Sequence, residues 1–191
     1  QFTPENIQRI RQLQDHELTA EDQELKAILD LVDAEIADYQ PSEVFVIDLH
    51  TTTADGGIFS IASDAPRSLQ LAKSLHAPVI TGMLKGLRGT TLHHFCCDHF
   101  PCPTTSVTFE AGRHDDPLST RRAIAALINL LRSVGSVHSD DVENRHDDIL
   151  MDYSKGLPKV AELIEVHPVK KEELMISAPL PNDPLWKACI D

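Results

Sequence analysis

The chain reads as an α/β protein with a largely parallel sheet, and three features carry that expectation. Val44-Phe45-Val46-Ile47 is an unbroken apolar run, the pattern of a strand buried on both faces. A stretch of helical periodicity precedes it, and Pro41 leaves only a short αβ connection between the two. Beyond residue 104 another strand-like segment is followed by another helical one, so strands and helices alternate.

Taken in order, Thr3 is a helix cap with Pro4 at the first helical position, which predicts a helix over residues 4–16. Thr19 is a second cap. After it Leu25, Ile28, Leu29, Val32, Ile36 and Tyr39 recur on one helical face, which is expected to pack on the sheet. The strand from Val44 turns polar at Asp48 and His50, then runs into three threonines and the pair Gly56-Gly57. Open α/β sheets place their ligand crevice at such a strand end. His50 is therefore a candidate to offer a neutral imidazole to a metal, with Asp48 holding its other nitrogen; by itself it reads equally as a histidine bonded to a loop carbonyl.

Residues 58–62 and 78–81 read as short strands around a helix opened by Pro66. The glycine-rich stretch 82–90 has neither phosphate-loop nor dinucleotide spacing and reads as a mobile loop. Its cations Lys85 and Arg88 are either solvated or available to a substrate carboxylate. Thr104 to Phe109 alternate as a strand, ending at Glu110 before the small residues Ala111 and Gly112. A carboxylate at a strand end with room beside it is placed for proton transfer, although a solvated strand-end glutamate has the same sequence. A helix is expected from Pro117, ended by Gly135. Residues 136–154 read as a polar linker or discontinuity. Beyond them, 160–169 reads as a strand, and 177–191, with three prolines and the anchor Trp186, as irregular.

The chain has 191 residues, and its 30 acids against 17 bases give a formal charge of −13, which disfavours nucleic acid as a partner. No apolar run approaches the roughly 20 residues a bilayer-spanning helix needs, and no signal-like segment opens the chain. Three of its four cysteines are clustered, unlike a secreted disulfide framework, so a cytoplasmic protein is expected. The cluster from His93 to Cys102 invites a test as a structural zinc knuckle, but no second ligand pair follows at a suitable distance, and an ordinary strand and loop is the default. Nothing in the sequence excludes a homo-oligomer.

Asp48-Leu49-His50-Thr51-Thr52-Thr53 resembles the motif that supplies the later zinc histidine in the succinylglutamate desuccinylase and aspartoacylase family. Phe109-Glu110-Ala111-Gly112 resembles that family's catalytic glutamate motif. The resemblance covers about residues 1–134. It implies a zinc carboxypeptidase-like fold, a mixed sheet flanked by helices, and a zinc-dependent hydrolase of N-acylated acidic amino acids. In that reading His50 is a zinc ligand, Glu110 the general base, Asp48 the partner of His50, and Arg88 and Arg113 the cations for substrate carboxylates. Residues 1–135 would be the catalytic domain and 155–191 the start or remnant of a small β-rich one.

The family's other two ligands, a His-x-x-Glu pair, precede the helix with which this chain begins, and no such pair precedes His50 here. The family's Asn-Arg sequence just before the segment like Gln1-Phe2 is also missing. The expectations are an N-terminally incomplete catalytic domain, or a short non-catalytic binding homologue without metal. For the 191 residues by themselves, either implies weak or no zinc binding and no turnover.

Overall fold

The computed structural model describes residues 1–53, 57–96, 99–142 and 145–165. Within them lie helices α1 (Pro4–Gln12), α2 (Ala20–Tyr39), α3 (Pro66–Lys73), α4 (Thr91–His94), α5 (Ser119–Ser133) and α6 (Arg145–Tyr153). The strands are β1 (Val44–Thr52), β2 (Phe59–Ala62), β3 (Val79–Thr81), β4 (Thr104–Arg113) and β5 (Val160–Glu162). They form one mixed, mostly parallel sheet in the order β1-β4-β2-β3-β5, so the α/β class expected from the sequence is the class observed. β2 runs antiparallel to β4, with Glu110 opposite Phe59, and parallel to β3. β3 in turn runs parallel to β5.

The chain divides into two compact units, residues 1–46 with 87–106, and residues 47–86 with 107 onward. In the first unit, Thr3 Oγ1 accepts from the Asn6 amide at 3.3 Å and starts α1, with Pro4 at its first position. The helix stops at Gln12, short of the expected residue 16, because Leu13 is extended; Gln14 and Glu17 then cap a separate 3₁₀ turn at Asp15–Glu17. Thr19 and Asp22 form the capping box of α2, and Arg9 of α1 reaches Asp22 at 2.5 Å. Ile7, Ile10, Leu18, Leu25 and Leu29 make this unit's core, so α2 buries a stripe against α1 and the turn before it. The rest of its expected apolar face is covered only in part: Val32 and Ile36 are half-buried, whereas Ile28 is 44% and Tyr39 78% exposed, which corrects the expectation that this whole face packs on the sheet.

In the second unit, α3 packs on β2 and β3, and α5 packs on α6. Ile58, Ile61, Val79, Val107, Phe109, Ala125, Ala126, Leu130 and Leu150 are its buried apolar groups. α5 begins at Ser119, two residues after Pro117, because Asp116 accepts the Leu118 amide at 2.9 Å. Residues 145–153, read from the sequence as loop, form α6. There Leu150 is fully buried, and Asp147 pairs with Arg132 of α5 and lies 3.7 Å from His76. Of the strand expected over 160–169, three residues form β5, and 166–169 lie outside the described residues. The proline-rich segment 177–191, with Trp186, lies outside them as well.

β1 differs most from its sequence pattern. Val44 to Ile47 are half-buried, not buried on both faces, because β1 is the edge strand among the described residues and has a neighbour on one side only.

Ile10 is fully enclosed in the core of the first unit. Ile10→Ala is expected to cost about 2–5 kcal/mol, measured as a shift in the urea unfolding midpoint.

Candidate functional site

The carboxyl ends of β1 and β4 bring four titratable groups together. The His114 amide donates to the Thr52 carbonyl at 2.9 Å, so the two strands finish side by side. On β1, residues 48 and 50 share a face by the two-residue period of a strand, and Asp48 Oδ1 lies 2.8 Å from His50 Nε2. This contact occupies Nε2 and leaves Nδ1 without a partner among the described residues. The imidazole is half in solvent, its side chain 53% exposed, and Asp48 is the more buried partner.

Glu110 lies on β4 between the buried residues Phe109 and Ala111. Its Oε2 is buried and has no hydrogen-bond partner among the described residues. Burial pushes the carboxyl above the ordinary glutamate range; His50 and His114 oppose the shift and Asp48 adds to it. A carboxylate whose proton affinity is raised by burial is of the kind that serves in proton transfer.

Sequence reading missed two residues here. Thr51 Oγ1 lies 2.6 Å from His114 Nδ1, a hydrogen bond linking the two strand ends across the site. The available signal was spacing: His114 follows Glu110 by four residues, two strand periods. Thr51 drew notice only as one of three hydroxyls.

The predicted cations are placed differently from one another. Arg113 ends β4, three residues past Glu110, and is bonded to Asp115, whose carboxyl it holds below the usual range. Arg88 belongs to the first unit, where it lines an open cleft of about 760 Å³ with Phe2, Arg11, His94 and Phe100. Lys85 lies 3.5 Å from Asp64, both largely in solvent. Asp55 and Gly56, beside the site in sequence, lie outside the described residues.

The His93 to Cys102 segment is not the strand and loop expected. Residues 91–94 form the short helix α4, capped by Thr90, whose hydroxyl lies 2.7 Å from His93 Nδ1. His99 Nδ1 donates to the His94 carbonyl at 2.9 Å, and Cys96 Sγ to the His93 carbonyl at 3.3 Å. His94 stacks between Phe2 and His99, and its burial lowers its pKa. Cys97 and Asp98 lie outside the described residues. Among the described residues no group of three His, Cys, Asp or Glu side chains could hold a metal ion, here or at the strand ends. No helix among them is long and apolar enough to cross a membrane.

No protein-family model and no curated protein matches the chain. Among solved structures it is similar to the apo structure of the ectoine utilization protein EutE (DoeB) from Ruegeria pomeroyi, at 22% identity over 48% of this chain and with a TM-score of 0.35. The match spans 31% of that protein's length, and likeness at that score carries no argument about fold or function.

The raised pKa of Glu110 has a consequence for stability. Between its unfolded pKa, about 4.3, and its folded one, the folded state holds the proton more tightly, so stability falls as pH rises through that window. Above the window the buried charge remains a cost. Glu110→Gln is therefore expected to stabilise the protein at pH 7 relative to the native chain, with the gain shrinking as pH drops to 4, measured by urea unfolding across pH.

Proposed function

We propose that the chain is catalytic in kind, a hydrolase of the linear amide in an N-acylated acidic amino acid of the N-succinylglutamate or N-acetylaspartate type, with Glu110 as the general base. The observation that carries this reading is the half-buried Glu110 carboxyl with an unpartnered oxygen, set beside the Asp48–His50 pair. The resemblance of residues 48–53 and 109–112 to the succinylglutamate desuccinylase and aspartoacylase family supports it.

Glu110, as the carboxylate, takes the proton of the attacking water and later delivers it to the leaving nitrogen, which departs as an amine. Its burial raises proton affinity in the direction this transfer needs. Asp48 holds Nε2 of His50 and so fixes the orientation of the ring. Arg113 is the cation closest in sequence to Glu110 and the candidate for a substrate carboxylate, with Arg88 as the other.

Zinc is the cofactor the resemblance implies. A catalytic zinc needs three protein ligands, and the described residues offer His50 without two companions. They do not complete a zinc site, and His50 would be one donor of such a site. Three of the four cysteines fall within residues 96–102, a usage that suits a cytoplasmic protein rather than a secreted disulfide framework.

Zinc content and hydrolysis of N-acetylaspartate and N-succinylglutamate test the reading. In a preparation that holds zinc and turns over substrate, Glu110→Gln should lower turnover by about 10² or more without changing metal content, whereas His50→Ala should lower both. Near-normal turnover in Glu110→Gln defeats the assignment of the base. Carboxylate binding with neither zinc nor turnover favours the non-catalytic binding protein instead.

A further inference from the structure

We propose that Arg122 is a positioning residue for the candidate site, its guanidinium fixing the turn of backbone that carries Glu110 and His114. The catalytic role of Glu110 rests on the reading above; the placement of the turn does not.

Arg122 lies on α5 with 4% of its surface exposed, rare for a cation and tolerable only where its N–H groups are bonded and its charge is met. Its Nη1 donates to the Ala111 carbonyl at 3.3 Å and to Asp116 Oδ2 at 2.6 Å. Its Cζ sits 4.3 Å from the centre of the Tyr153 ring on α6, a cation–π contact. The bonded carbonyl belongs to the residue directly after Glu110. The bonded carboxylate lies at the far end of the same turn, which the Asp116 amide closes onto the Arg113 carbonyl at 3.1 Å. One guanidinium thus ties both ends of residues 111–116, and His114 lies between them.

Gly112 fits the same design. Its φ is +98°, and a Cβ there would stand 2.9 Å from Arg122 Nη1, so the turn needs glycine both for its backbone and to admit the guanidinium. Asp116 Oδ1 accepts the Leu118 amide and launches α5, so the carboxylate that holds Arg122 also starts the helix that carries it. Arg122 reaches the site only through backbone and Asp116, which makes it a positioning residue. A lysine cannot bond two acceptors in a fixed fork while lying flat on a ring.

The test uses the full chain with ¹³C-labelled glutamate carboxyls and ¹⁵N-labelled histidine rings, comparing Arg122→Met and Arg122→Lys with the native protein. In Arg122→Met the Glu110 carboxyl and His114 ring signals should move, those of His16 in the first unit should not, and Arg122→Lys should fall between. Where turnover is measured, kcat should fall about 10- to 100-fold in Arg122→Met with KM within about twofold, and recover in part in Arg122→Lys. If the methionine variant does not fold, the lysine variant decides by the same signals. Unmoved Glu110 and His114 signals in the folded variants overturn the proposal even if the protein hydrolyses its substrate. Moved signals without hydrolysis in any form count against the hydrolase reading and leave the role of Arg122 standing.

Discussion

The side-by-side finish of β1 and β4 is the constraint on which the rest of the site depends. The bond from the His114 amide to the Thr52 carbonyl joins residues 62 apart in sequence, and each strand brings half of the titratable groups of the candidate site. Asp48 and His50 come with β1, Glu110 and His114 with β4. Without that pairing, Glu110 would lose His50, the neighbour that most opposes the effect of its burial. The Thr51–His114 hydrogen bond then repeats the link between the strand ends at the level of side chains.

Acids and imidazoles meet at the strand ends, in a chain whose overall balance is acidic. Two carboxylates and two imidazoles share the strand ends, and desolvation is the largest influence on Glu110, larger than any single neighbour. Burial raises its pKa most because a carboxylate oxygen without a donor loses its hydration and receives nothing in return. Asp48 is treated differently by the fold, since it gains a partner in His50. Two acids a short distance apart thus sit in different environments, one paired with an imidazole and the other buried with an oxygen unpartnered among the described residues.

The same logic governs the buried cation of the second unit. Arg122 is enclosed together with a carboxylate, a carbonyl and a ring, and those partners happen to span the turn after Glu110. A charge held in low dielectric is costly to move, so the groups that satisfy it are fixed along with it. Asp147 plays the corresponding part between α6 and α5, meeting Arg132 and lying near His76. Polar anchors at both places hold helices whose exposed faces retain apolar groups such as Ile124 and Met151.

The sequence by itself determined the class of fold and the local placement of the chemistry. Val44 to Ile47 is a strand in any context, and the two-residue period sets Asp48 and His50 on one face of it. Caps at Thr3 and Thr19 are equally local, because the bonds that start a helix lie within four residues. What only the tertiary structure decided depends on which surfaces meet. The apolar run of β1 suits a central strand, yet the sheet order makes it an edge. α2 carries a wide apolar face, yet its unit covers only the stripe through Leu25 and Leu29. Arg121 and Arg122 read alike on the polar side of a helix, and packing left the first in solvent while enclosing the second. Burial is a property of neighbours far away in sequence, and the proton affinity of Glu110 and the partners of Arg122 follow from burial. A pattern of residue types specifies where a side chain points along its own element, but not what stands opposite it.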